Sequence, residues 1–186
     1  VVWQALDAVS CTDFLANLKA KVSGTIGINA ASISGFAWGD WSLTKPGYLT
    51  FDFTKWKEAV DLGDIGRLSR IVIHEFTHIF NADRDSNPKY WTEFQNLAAK
   101  QGVFTSYAGR NNLETLPEVV GYYVARCAKD NPYDTGKFND YYEWVKANIF
   151  AGREFGPAPG TKASCDVTQD QIPTPTPDWV KALSGD

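Results

Sequence analysis

Apolar residues recur at helical spacing in five stretches of the chain, and each stretch is bounded by residues that begin or end helices. The predicted helices cover residues 10–24, 64–82, 88–102, 113–129 and 137–150. In the first of them, Ser10 is the expected N-cap and Gly24 the expected stop. The core-facing stripe of the second consists of Val72, Phe76, Ile79 and Phe80. Both histidines of the chain belong to this second helix but lie off its stripe.

Two other segments follow different patterns. Residues 25–53 are rich in β-branched and aromatic residues interrupted by Gly and Pro, which predicts two or three short strands. After residue 152 the pattern gives way to Pro, Gly and Thr, typical of an extended tail lying on the domain surface. The sequence therefore predicts an α+β fold with a small, twisted N-terminal sheet followed by a mostly helical lobe. We expect one domain over residues 1–152 and a tail over residues 153–186.

Length and charge narrow the class of protein. A chain of 186 residues builds one well-buried core. Its net charge of −4 and pI near 5.2 argue against nucleic-acid or anionic-membrane partners. No apolar run approaches the roughly 18 residues of a membrane span. The chain begins at Val1 without a signal peptide or any methionine, so we expect a mature or trimmed form, and a monomer.

The cysteines leave the disulfide pattern open. Cys11, Cys127 and Cys165 permit at most one internal disulfide, which can be drawn in three ways. Free buried thiols are an equally good expectation.

The stretch "IVIHEFTHIF" at residues 71–80 contains the candidate chemistry. His74 and His78 are four residues apart, so both project from one face of a helix and can bind one ion. Glu75 lies about 100° round the helix, close enough to reach a ligand of that ion without binding the ion itself. The pattern predicts two metal ligands and a general base.

A third protein ligand must come from elsewhere in the chain. A catalytic zinc ion normally takes three protein ligands and leaves one position open, and the chain has no third histidine. The candidate ligands are Asp83, Asp85, Glu93, Glu114, Glu118, Cys127 and Cys165. Asp83 and Asp85 follow His78 so closely that the chain would have to turn back sharply without a glycine. Glu93 belongs to the solvated side of its helix.

Glu114 and Glu118 form the strongest candidate pair. They lie four residues apart beside the apolar run "VVGYYV", so both face the same way. Glu114 can bind the metal while Glu118 accepts a hydrogen bond from a ligand imidazole. The alternative is two solvated carboxylates on an exposed helix face. Pro117 fits only in the first helical turn or at a kink, so the helix would begin later than residue 113.

With a glutamate as third ligand the chain resembles the gluzincins, the zinc peptidases with HExxH plus Glu. The segment "TSYAGRNNLETLPE" is similar to the one after the HExxH helix in the family of the anthrax lethal factor catalytic domain and the secreted clostridial Pro-Pro endopeptidases. In that family a tyrosine precedes the ligand glutamate by seven residues and a second glutamate follows it by four, as Tyr107, Glu114 and Glu118 do here. The resemblance covers about residues 68–126.

The resemblance implies a zincin-like fold and a secreted, zinc-dependent endopeptidase acting on protein or peptide substrates. By matching position it implies His74, His78 and Glu114 as zinc ligands and Glu75 as general base. Tyr107 would stabilise the transition state. The two alternatives are a zinc-stabilised binding or toxin module without activity, and a zincin of another branch whose third ligand is Asp83 or Asp85.

Such peptidases often bind the substrate as an added strand on a sheet edge. We expect that edge in "GYLTFDFT" or "GFAWGDWS". Trp38 and Trp41 are candidates for lining a subsite, and packing in the core or on the surface is the alternative for each.

Overall fold

A computed structural model describes residues 1–22 and 24–165. These residues form seven α-helices, three strands and two short 3-10 turns. The helices are α1 (Val2–Val9), α2 (Phe14–Lys21), α3 (Phe53–Asp61), α4 (Ile65–Phe80), α5 (Pro88–Gln101), α6 (Asn112–Val124) and α7 (Asn139–Asn148). The strands are β1 (Gly27–Ala30), β2 (Gly39–Trp41) and β3 (Tyr48–Phe51), and the 3-10 turns are Ala108–Arg110 and Pro132–Thr135. The predicted α+β class is confirmed.

The sheet lies in the N-terminal third of the chain and has the strand order β1-β3-β2. The central strand β3 pairs in parallel with β1, Ile28 opposite Leu49, and antiparallel with β2, Trp41 also opposite Leu49. From Phe53 onward the described elements are all helical, as predicted for the second part of the chain. The prediction that "GYLTFDFT" supplies a free edge is wrong, because β3 has a neighbour on both sides. The segment "GFAWGDWS", which contains β2, does lie at an edge.

The N-terminal segment differs most from the prediction. A helix over Val2–Val9, α1, was not predicted, although Ala5, Leu6 and Val9 are buried at helical spacing. Ser10 is the C-cap of α1 and not the N-cap of the next helix. Helix α2 therefore begins only at Phe14, because the chain must first turn between the two helices.

Helix α3 was also missed by the sequence analysis. The pattern of residues 51–54 predicts the end of a strand, but the side chain of Asp52 accepts hydrogen bonds from the backbone N–H groups of Thr54 and Lys55. This capping satisfies two of the free N–H groups at a helix start, so the chain turns helical at Phe53.

The remaining helices follow the predicted ranges with two corrections. Helix α6 begins at Asn112, earlier than Pro117 led us to expect, so Pro117 lies inside the helix. The carbonyl of Leu113 loses its helical partner to this proline, and Leu113 itself is 40% exposed. The helix ends at Val124 and not at residue 129. Buried Asn131 donates to the carbonyls of Tyr122 and Ala125 there and ends it.

One contiguous core joins the helices to the sheet. The predicted stripe of α4 is confirmed, since all four of its residues are buried. Fully buried aromatic side chains fill the space between α6 and α7, and they include Tyr123, Tyr133, Tyr141, Tyr142 and Phe150. This core fixes α4 and α6 against each other. None of the helices among the described residues has the length and apolar character needed to cross a membrane.

The cysteines pair in one of the three ways allowed by the sequence. Cys127 forms a disulfide with Cys165, so the expectation of free buried thiols is wrong for both. Cys11 is free but exposed. Residues 153–165 lie on the domain, since Arg126 donates to the carbonyls of Pro157 and Thr161. The Pro/Thr part of the predicted tail, residues 166–186, lies outside the described residues.

Candidate metal centre

Helices α4 and α6 run past each other in opposite directions and approach closely at Gly121. A Cβ on Gly121 would lie 3.0 Å from the carbonyl oxygen of Arg70, so any larger residue there would push the two helices slightly apart. One and two turns further along α4, His74 and His78 then face Glu118 and Glu114 of α6. Residues 36 to 44 positions apart in the sequence are brought together in this way.

Three donor atoms converge between the two helices. Glu114 Oε2 lies 3.2 Å from His74 Nε2 and 3.5 Å from His78 Nε2. Two donors bound to one tetrahedral ion at about 2.0–2.2 Å are themselves about 3.3–3.6 Å apart. The ligand atoms of His74, His78 and Glu114 all lie within 4.8 Å of one another. The donor spacing therefore fits a single metal ion.

The start of α6 is built to present Glu114. The side chain of Asn111 accepts hydrogen bonds from the backbone N–H groups of Leu113 and Glu114 and so caps the helix. Glu114 lies in the first turn, where the helix dipole favours a carboxylate. Burial raises the pKa of Glu114, but hydrogen bonds with His74 and His78 outweigh it and hold that pKa well below its usual range. Glu114 is therefore an anion in the folded protein.

His74 is enclosed by carboxylates on both of its ring nitrogens. Its Nδ1 lies 3.1 Å from Glu118 Oε1 on the side away from Glu114. Burial alone lowers the pKa of His74, but its hydrogen bonds with Glu114 and Glu118 raise it to about 9. Burial likewise raises the pKa of Glu118, while His74 and Arg70 lower it below its usual value. A carboxylate behind a ligand imidazole fixes the ring orientation that a metal needs.

Glu75 is buried beside this cluster, with 6% of its surface exposed. Burial raises its pKa, and the neighbouring carboxylates of Glu114 and Asp40 act in the same direction against the two histidines. A carboxylate with a raised pKa accepts a proton at near-neutral pH more readily than an ordinary glutamate does.

Tyr107 comes from the loop between α5 and α6 and lies over the same site. Its ring centroid is 5.7 Å from that of His74. Burial and the nearby carboxylates of Glu114 and Glu75 raise the pKa of Tyr107 to about 12, so its phenol keeps its proton at neutral pH. The ring also packs edge-on against Phe36, and the guanidinium of Arg110 lies over both rings.

The edge strand β2 forms the other side of the site. The indole of Trp41 stacks on the imidazole of His78 with 5.7 Å between centroids and 3° between planes. A cleft of about 420 Å³ extends from His74 and Glu75 along α4 towards its N-terminus. Trp38 and Tyr107 both line that cleft, and a subsite role for Trp38 stays a prediction.

The other candidate ligands lie apart from these donors. Asp83 forms an ion pair with Lys21, and Asp85 is exposed. Glu93 pairs at the surface with Lys89, as expected for a solvated position. Cys127 and Cys165 are bonded to each other.

Sequence reasoning missed three residues that shape the site. Arg70 and Thr105 both donate to the carboxylate of Glu118, and Gly39 lies against Glu75. Arg70 precedes His74 by one helical turn, which is a detectable signal. The contacts of Thr105 and Gly39 depend on tertiary packing and had no local signal.

No protein-family model matches the chain, and neither any curated protein nor any solved structure is significantly similar to it.

Proposed function

We propose that this chain is a zinc-dependent endopeptidase of the gluzincin type, with a zincin-like fold. One observation carries the proposal: His74, His78 and Glu114 converge at metal-ligand spacing with the buried carboxylate of Glu75 beside them. A chance cluster of charged residues would not be expected to include a buried glutamate that lies beside the three ligands without being one of them.

A zinc ion suits this donor set better than calcium or magnesium does. Two imidazole nitrogens and one carboxylate oxygen form the ligand set of many catalytic zinc sites, and calcium and magnesium prefer all-oxygen sites. A zinc ion held by His74, His78 and Glu114 would lower the pKa of a bound water molecule and would polarise the carbonyl of the scissile bond.

The neighbouring side chains supply the rest of the reaction. Glu75, with its raised pKa, takes a proton from the attacking water and can pass it to the leaving amine. Tyr107 keeps its phenolic proton and can donate a hydrogen bond to the oxyanion that develops on the substrate carbonyl.

The substrate is a peptide in extended conformation. Strand β2 lies at an edge of the sheet, begins beside Glu75 and ends at Trp41, which stacks on His78. An extended peptide added to this edge passes the metal site with its backbone hydrogen-bonded to the strand. We further propose that the protein is secreted, and the Cys127–Cys165 disulfide supports this, because such bonds are rare in the cytosol.

The decisive experiment combines cleavage profiling on a diverse peptide pool with metal analysis of the same sample. The wild type should carry one zinc ion and cleave peptides until a chelator is added. Glu75→Gln should keep the zinc and lose about 10²–10⁴-fold in rate, the usual contribution of a general base. Glu114→Ala should lose the zinc itself. The surface variant Glu93→Gln serves as the control for a lost carboxylate and should behave as wild type.

Three results would contradict the proposal. Zinc without any chelator-sensitive cleavage would favour a zinc-stabilised binding or toxin module. Full cleavage by Glu75→Gln would remove the proposed base. Undiminished zinc in Glu114→Ala would point to a different third ligand, and Asp83→Ala and Asp85→Ala would then be compared with it.

A further inference from the structure

The carboxylate of Glu118 is bound on both oxygens by residues other than the candidate ligands, Arg70 on one oxygen and Thr105 on the other. Oε1 accepts from Arg70 Nη1 and lies 3.1 Å from His74 Nδ1. Oε2 accepts from the hydroxyl of Thr105 at 2.7 Å. Only 2% of the Glu118 side chain is exposed, so protein groups and not solvent determine its orientation.

Arg70 is itself fixed in place. It lies one turn before His74 on α4, and its guanidinium sits 4.9 Å from the ring centroid of Tyr122 on α6. The missing side chain of Gly121 leaves room for its backbone and its aliphatic stem. Arg70 therefore meets Glu118 as a rigid partner, which favours a fixed carboxylate orientation.

Thr105 ties a third element to the same carboxylate. Its hydroxyl accepts from the backbone N–H of Ala108 at 3.0 Å while it donates to Glu118. Tyr107 lies between these two residues in the sequence. One hydroxyl group thus links the loop that carries Tyr107 to the carboxylate behind His74.

We propose that Arg70 and Thr105 are positioning residues of the metal centre, which act through Glu118 to aim His74 Nε2 at the point shared with His78 and Glu114. The inference rests on the proposed metal site. A carboxylate bonded on both oxygens cannot rotate about its terminal torsion, so the imidazole bonded to it keeps one orientation. If Arg70 or Thr105 is removed, a buried oxygen of Glu118 loses a hydrogen-bond partner, and the carboxylate can rotate.

The test measures metal binding in the full chain with two pairs of variants. Arg70→Met removes the guanidinium with little change of volume, and Arg67→Met is its control, because Arg67 lies one turn earlier on α4 and pairs with Asp64 and not with Glu118. Thr105→Val removes the hydroxyl, and Thr105→Ser retains it. Zinc affinity is measured by competition with a chromogenic chelator, and Co²⁺ is bound in place of zinc for absorption spectra, which report ligand geometry.

Arg70→Met and Thr105→Val should each bind zinc about 10–100-fold more weakly, the usual effect of losing a partner behind a metal ligand. Their Co²⁺ spectra should differ from that of the wild type. Thr105→Ser should restore both the affinity and the spectrum, and Arg67→Met should match the wild type in both.

Wild-type affinity and spectra in Arg70→Met and Thr105→Val would overturn the inference. It would also be overturned if Thr105→Ser were as weak as Thr105→Val, because the hydroxyl would then not be responsible. If Arg70→Met fails to fold, the comparison of the two Thr105 variants decides alone. A wild type that binds no zinc overturns this inference and the proposed function together, whereas one that binds zinc without cleaving peptides contradicts only the peptidase.

Discussion

Gly39 lies directly against the carboxyl group of Glu75: a Cβ on Gly39 would be 2.6 Å from Glu75 Oε1 and 2.7 Å from its Cγ. The first residue of β2 therefore determines where the proposed base can stand. A methyl group on Gly39 would therefore displace the carboxyl group of Glu75, which is buried and has little room to move.

We predict that Gly39→Ala lowers kcat/KM by about 100-fold, the effect of displacing a catalytic group by roughly 1 Å. Zinc content should not change, because Gly39 touches none of the three candidate ligands. Peptide cleavage and zinc analysis on one preparation check both statements. Gly47→Ala is the control, since its Cβ would meet only Thr25 O at an ordinary 3.4 Å. Unchanged kcat/KM in Gly39→Ala would show that the base does not depend on this contact.

The sequence predicted those site residues whose relative positions depend on the spacing within a single helix. His74, Glu75 and His78 needed only helical periodicity, and Glu114 with Glu118 needed the same rule on a second helix. The structure brings these five residues together. Contacts between elements, such as that of Gly39 with Glu75, depend on how strands and helices pack, which local spacing does not encode.

Errors in the predicted fold have a similar physical origin. Helix α3 follows a strand of β-branched and aromatic residues without a break, and only Asp52 as N-cap marks the change. A proline is costly inside a helix, so Pro117 predicts a later helix start, but tertiary packing of α6 against α4 outweighs that cost. The pairing of Cys127 with Cys165 was one of three possible disulfides, and the sequence alone does not distinguish among them.

Zinc binding should release a proton at neutral pH. In the metal-free protein the pKa of His74 is raised to about 9, so its ring carries the extra proton at pH 7. A ligand imidazole must give up the proton on its metal-binding nitrogen, and Nδ1–H stays with Glu118. We expect release of about one proton at pH 7 and much less above pH 9, with zinc affinity rising over that range.

Titration calorimetry in two buffers of different ionisation enthalpy measures this release. The same pair of titrations at pH 10 is the internal control, because His74 has already lost its proton there. Equal apparent enthalpies in the two buffers at pH 7 would mean that zinc binding releases no proton, which would contradict a protonated His74.

The ionised carboxylate of buried Asp52 should make the free energy of unfolding depend on pH. Hydrogen bonds from the Thr54 side chain and the Ile33 backbone outweigh burial and lower the pKa of Asp52. A depressed pKa in the folded state stabilises the protein above the unfolded value near 4, and this stability is lost as pH falls through the folded pKa. Asp52→Asn should therefore be less stable than wild type at pH 7, and the difference should shrink below pH 4.

Urea unfolding of both proteins at pH 7 and pH 3 measures this difference. Asp61→Asn is a control, because Asp61 is an exposed carboxylate at the end of the same helix. A gap between wild type and Asp52→Asn that is as large at pH 3 as at pH 7 would contradict the assignment.

The Cys127–Cys165 disulfide should contribute to stability without determining the site. It closes a loop with a sequence separation of 38, for which the chain-entropy model gives about 4 kcal/mol. The folded state keeps other contacts over this loop, since Gly160 donates to the carbonyl of Tyr133 and Arg126 to that of Thr161. Loss of the disulfide therefore acts mainly on the unfolded chain.

A double variant, Cys127→Ser with Cys165→Ser, should lose up to about 4 kcal/mol of unfolding free energy and keep its zinc, because the ligands belong to α4 and α6. Urea unfolding and zinc analysis test both parts. Cys11→Ser, at the exposed free thiol, is the matched control and should be neutral. Adding reductant to the wild type should reproduce the double variant. If the double variant folds with full stability but loses its zinc, the segment around Cys127, which lies against Gly66 at the start of α4, holds that helix in place.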